Sequence, residues 1–289
     1  MAFVPGCPSG PRGTSAPSGT PGGEVPGRPG RGNPDGGRVV GTPREDALRT
    51  HTDWSTPGFD HVPTAPTVGP FPRRDFLRTV SDVCGEDVVL VESASALLPL
   101  RCSADAVRFA GHPDLTDYHV PLGDGVEELV AEVVSAVPEG TAFDLDSLPA
   151  EAAAAVAAGF RRAGLPAEPA VHAAAAVLDL PTTLEAYLEQ IGKKQRHELR
   201  RKHRRYEETG GPVLHETHRG PGWGFEELVR LHRLSPGQKG SFMTADHVEL
   251  FRRLAGSPGW RIDLLRVDGA ERAAAGLFSY SDGEAIYLY

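Results

Sequence analysis

Apolar residues recur with two different periods along this chain, and the switches between them predict its elements. The clearest signal lies at the end. RIDLLRV (261–267), AAAGLFSY (273–280) and EAIYLY (284–289) are apolar runs separated by Asp268-Gly269 and Asp282-Gly283. Asp-Gly between such runs marks a hairpin, so a three-strand antiparallel meander is predicted. The chain stops at Tyr289 inside an apolar run, with no charge or proline to blunt a sheet edge. That predicts a fragment, or a strand completed by another element.

Working forward, FPRRDFLRTVSDVCG places Phe71, Phe76, Leu77 and Val80 at helical spacing, with Gly85 as the stop. VVLVE (88–92) and ALLPL (96–100) read as a hairpin, and AVRFAG (106–111) as a third strand. VEELVAEVVSAV (126–137) is an amphipathic helix with Val126, Leu129, Val130, Val133, Val134 and Val137 on one face. A strand and turn at TAFDLDSL precede an alanine-rich helix that ends at Gly164. VHAAAAVLDL (171–180) is read as a strand. Residues 184 to 210 are read as one long helix, with Thr183 as N-cap and Leu184, Leu188, Ile191 and Leu199 on a stripe. PVLHETH is a strand, and FEELVRLHRL (225–234) and TADHVELFRRLAG (244–256) are amphipathic helices, the second capped by Thr244.

Residues 1–70 follow no period. Proline and glycine dominate without a triplet repeat, and too few apolar side chains are present to offset the entropy of ordering, so a disordered leader is expected. Trp54 is the one aromatic in it with a chance of packing. The length of 289 residues suits two folded units after that leader, at 71–180 and 181–289.

Charge changes the picture at one place. The net charge is −9, yet the thirteen residues from Lys193 to Arg205 hold eight Lys or Arg against one acid, Glu198. Lys193, Arg196, Arg200 and Arg204 share one helical face, which suits contact with an anion or, as the alternative, a solvated helix balanced by the acidic rest of the chain. Nucleic acid is disfavoured, because the chain is acidic overall and no aromatic platform interleaves these charges. Cys7, Cys84 and Cys102 show neither metal-ligand spacing nor an even disulfide set, so no metal is expected. There is no apolar run long enough to cross a membrane and no secretory signal, which points to the cytoplasm.

Four stretches together carry a resemblance: FAGHPDLTDYHVPL, then LPTTLEAYLEQIGKKQRHELRRKHRRYEETGG, then LHRLSPGQKGSFMTADHVELFRRLA, then LLRVDGAERAAAGLFSYSDGEAIYLY. They resemble acetyltransferases of the GNAT superfamily, of the BioF2-like or cellulose-biosynthesis type, with the FemABX peptidyltransferases as distant relatives. The resemblance spans about residues 71–289. It implies an α/β fold of tandem GNAT-like units with mixed, largely antiparallel sheets, the second unit incomplete. It implies acetyl-CoA or another acyl-CoA as co-substrate. The acceptor would be an amine or hydroxyl of a small molecule or of a polysaccharide or peptidoglycan-type polymer. A tRNA-dependent aminoacyl or peptidyl transfer is the alternative, and an inactive anion-binding module a third. The phosphate loop of GNAT proteins, of RxxGxG/A type after the fourth strand, is missing from the stretch that ends at Tyr289.

Candidate site residues follow. Asp117 and Tyr118 lie in a Gly/Pro-flanked loop with His112 and His119. There Asp or His can take a proton from an attacking amine or hydroxyl, and Tyr can protonate a departing thiolate. Lys193, Arg196, Arg200 and Arg201, with Lys239 between glycines in SPGQKGSFM, are the candidates for the phosphates of the acyl donor. The remaining histidines form no HExxH or GxSxG-type pattern.

Overall fold

The computed structural model describes residues 48–65 and 68–289. It is a mixed α/β structure with two sheets. The first sheet runs in the order β1 (Arg49–His51), β2 (Val88–Glu92), β3 (Ala96–Cys102), β4 (Ala106–Phe109) and β6 (Ala142–Asp144), with β5 (Leu122–Gly123) also paired to β3. Every pairing is antiparallel except β4 with β6. The parallel step needs a crossover, and α2 (Val126–Ala136) supplies it. The second sheet is fully antiparallel, β10 (Ile286–Leu288), β9 (Ala273–Ser281), β8 (Trp260–Val267) and β7 (Val213–His218).

β2 is apolar on both faces because both are covered. Its Val89 and Val91, with Leu98 and Leu100 of β3, pack against α2 and α3 (Ala150–Arg162). Its Val88 and Leu90, with Leu97, face the other way, toward Phe76, Leu77 and Val80 of α1 (Arg74–Cys84). That second core does not stop at the first unit. It continues into Phe225 of α6 (Trp223–Leu234), Leu250 and Leu254 of α8 (Ala245–Ala255), and Trp260, Ile262 and Phe278 of the second sheet. The two units therefore share one hydrophobic core, with α1 at the seam. Gly85, in the left-handed conformation at φ 66°, ends α1 and returns its N–H to Ser81 O.

The hairpins at Asp268-Gly269 and Asp282-Gly283 form as expected, and so do the N-caps. Thr183 accepts from Ala186 N at 3.1 Å, and Thr244 from His247 N at 3.2 Å. Three expectations are corrected. Residues 48–65 and 68–70, expected to belong to a disordered leader, are part of the fold: β1 pairs with the open edge of β2, Trp54 stacks on Phe59 at 5.9 Å, and Ala65 and Val68 are buried. A tertiary edge supplies what composition lacked. Residues 1–47 lie outside the described residues.

Residues 171–180 form no strand. Val171 is 95% exposed and Val177 79%, and the alanines between them offer little surface to bury on a sheet. The long helix is two helices, α4 (Leu184–Gln190) and α5 (Lys193–Gly210), because Ile191 and Gly192 are extended (ψ 154° and 150°). Of the anticipated stripe only Leu188 is buried, while Leu184 and Leu199 are exposed. α7 (Gln238–Phe242) is a short turn of helix between α6 and α8.

Candidate active-site cleft

A cleft of about 650 Å³ opens where the units meet. The end of α1 gives it Cys84, and the turn after α1 gives Glu86 and Asp87. β3 and β4 contribute Arg101 and Arg108, the following loop His112, and the first turn of α8 Thr244, Asp246 and His247. Most of the lining charge is spent internally. Arg101 pairs with Glu86 at 2.7 Å, and Arg108 with Asp144 at 3.0 Å. Burial raises the Glu86 pKa although Arg101 opposes it. Burial also raises the Cys84 thiol, and Glu86 and Asp246 add to the effect. A thiol pushed upward is a poorer nucleophile.

The two histidines are held in complementary states. The His247 Nδ1 lies against Phe242 O, a carbonyl that can only accept, so Nδ1 carries a hydrogen and, in the neutral ring, Nε2 carries the lone pair. The His112 Nδ1 accepts from Asp114 N at 3.2 Å, so its hydrogen sits on Nε2. Their rings meet edge to face with centroids 6.3 Å apart. Burial lowers the His112 pKa against the opposing charge of Asp114, with lesser help from His247 and Arg101.

The anticipated residues are placed as follows. Asp117 is exposed, and partial crowding raises its carboxyl. Tyr118 packs edge-on against Phe71 at 5.8 Å, and neither residue lines the cleft. His119 is 7% exposed and holds Asp146 through Nδ1, also away from the cleft. Their loop reaches the cleft through His112 alone. Tyr289 packs near Asp117 instead, its buried hydroxyl donating to Leu115 O. The basic set is not gathered at the cleft either. Arg196 folds back to cap the end of α4, donating to Glu189 O at 3.3 Å and Ile191 O at 3.2 Å. Arg201 pairs with Glu198 at 2.7 Å. Lys193 and Arg200 are exposed and have no acidic partner among the described residues, and Lys239 is exposed on α7.

This arrangement of strand, helix pair and meander has a counterpart. Residues 193–289 match the family model of the acetyltransferase (GNAT) domain. No curated protein and no solved structure matches the chain. The GNAT match covers β7 to β10, the helices between them and α5. His247 and Thr244 lie within the matched stretch, whereas Cys84, Arg101 and His112 come from the unit before it. In the first unit, the Gly123-Asp124-Gly125 turn into α2 is closed to ligands. At Gly123 a Cβ would lie 2.0 Å from Ser95 O, and the Gly125 N–H is already given to Ser95 O. Among the described residues, no cluster of three or more His, Cys, Asp or Glu is placed to hold a metal, and no helix is long and apolar enough to cross a membrane.

Sequence reasoning treated His247 as one of several patternless histidines. Its signal was present in the chain: it sits three residues after an N-capping Thr244 and so at the start of a helix facing the other unit. What the sequence alone does not contain is the second half of the pair, since His112 is brought to it by the shared core.

Proposed function

We propose that this protein is an acyltransferase that moves an acyl group from acetyl-CoA or another acyl-CoA to an amine or hydroxyl, and that it is of the cellulose-biosynthesis, FemABX-related type. The observation that carries this is the GNAT match over β7 to β10, in a structure whose inter-unit cleft presents a free imidazole nitrogen. The acyl donor is a substrate, and when bound it supplies an activated thioester carbonyl. The donor chemistry of α5 fits its phosphates: Lys193 and Arg200 lie seven residues apart on one exposed face with charge to spare. The acceptor is a small molecule or a polysaccharide or peptidoglycan-type polymer. Acyl-CoA is an intracellular metabolite, which supports a cytoplasmic reaction.

A tRNA-dependent transfer is the second reading, favoured by the exposure of α5, where Lys193 and Arg200 have no acidic partner among the described residues. Thermal unfolding separates the two. Acetyl-CoA at a hundred times its Kd raises stability by about 2.7 kcal/mol. The rise shrinks when Lys193 and Arg200 are both replaced by Ala. An absent rise with acetyl-CoA, together with tRNA binding that weakens steeply with salt, would favour the second reading.

A further inference from the structure

The acceptor and its proton are the open part of that reading, and the cleft bears on both. Its charges can be counted off. Glu86 is matched by Arg101, and Arg108 by Asp144. Asp87 and Asp246 line the cleft with no cationic partner among the described residues. The residual field is therefore negative, and it favours a cationic ligand over a neutral or anionic one. Within that field the neutral His247 ring keeps its lone pair on Nε2, while Phe242 holds the ring through its carbonyl and its side chain. Its carbonyl takes the Nδ1 hydrogen, and its ring lies tilted against the imidazole with centroids 4.4 Å apart. His112, from the other unit, offers the opposite end, an Nε2–H donor.

We propose that this cleft is the acceptor site, that the acceptor is a primary amine bound as its ammonium, and that His247 is the catalytic base, with His112 facing it from the other unit. This rests on the acyl-transfer reading above. The ammonium gives one proton to His247 Nε2 and becomes a free amine. Its nitrogen then bonds to the acyl carbon of the thioester co-substrate as the carbon–sulfur bond breaks. The second nitrogen proton goes to the departing sulfur. Amide and thiol result, and His247 returns its proton to water. Asp87 and Asp246 hold the ammonium, and the Nδ1 contact with Phe242 O stabilises the imidazolium that forms in between. Cys84 stays a thiol throughout, and the paired Glu86 and Arg101 exchange no proton.

Two measurements on the full chain test this. Long-range proton–nitrogen NMR on uniformly labelled protein reads the tautomers directly. Nδ1–H for His247 and Nε2–H for His112 are expected, and the same tautomer at both positions overturns the pairing. Thiol release from acetyl-CoA is then followed with two probe amines. 2-Aminoethanol is protonated near pH 7 and needs a base, whereas hydroxylamine is already a free amine and does not. His247→Ala should slow the 2-aminoethanol reaction about 100-fold, the usual worth of a general base. It should leave the hydroxylamine reaction within a few-fold, and added imidazole should restore the first. His247→Gln, closer in shape, guards against a folding defect and should behave the same way. Turnover by the unaltered protein that His247→Ala and His247→Gln leave intact overturns the inference alone. No turnover with either amine overturns the acyl-transfer reading and this step with it.

Discussion

Replacing Trp260 with Ala is expected to cost about 4 kcal/mol, the middle of the range for removing a buried tryptophan or phenylalanine side chain. Trp260 opens β8 and is 1% exposed. Its ring stacks on Phe278 at 4.8 Å and on Phe76 of α1 at 6.4 Å, and meets Tyr289 edge-on at 5.2 Å. It touches the first unit and the second at once, so the loss is felt by both. Denaturant unfolding should show one transition moved to lower denaturant, since the units share a core. Two separated transitions, with only the second moved, would mean that the seam is not cooperative.

Glu227→Ala comes next, at about 3 kcal/mol. Glu227 is 1% exposed in α6 and accepts from Arg230 at 2.8 Å, Arg272 at 2.6 Å and Ala273 N at 2.9 Å. It thereby pins the helix to the first residue of β9. Removing one member of a buried ion pair costs roughly 3–5 kcal/mol. The low end applies because Arg272 and Arg230 both reach solvent. The Arg230 hydrogen bond is the main reason that the Glu227 pKa falls from 4.5 to about 2, against the opposing cost of burial. A depressed carboxylate stabilises the fold above its unfolded pKa and ceases to as pH drops through its folded one. Stability should therefore decline between about pH 4.5 and pH 2 in the unaltered protein, and less steeply in Glu227→Ala. Equal slopes would show that Glu227 is not the group responsible.

The sequence revealed most where the deciding interaction is local. β2 falls at 88–92 as the apolar run predicts, Thr244 caps its helix, and the Asp-Gly turns close the meander. Propensity and turn chemistry suffice there. It was misleading where a distant partner decides. Residues 48–65 are ordered by the edge of β2 and by the buried Glu92, which meets His51 at 3.4 Å. Residues 171–180 have strand-like letters but pair with no sheet edge among the described residues. Arg196 reads as one more charge on a basic face, yet its use is set by the break at Gly192, which leaves carbonyls for it to cap.

The site divides the same way. His112 could be suspected from its loop, but His247 gains its meaning only when α8 is laid against α1 and the cleft forms between them. The basic helix that dominates the charge pattern is, in the structure, exposed and contributes no residue to the lining of the cleft.

The most direct test of the account is a mass-balanced assay of the full chain with acetyl-CoA and 2-aminoethanol. The account predicts protein-dependent release of free CoA thiol matched one for one by N-acetylated 2-aminoethanol. Thiol release no faster than in the protein-free blank, or release without the acetylated amine, would contradict it.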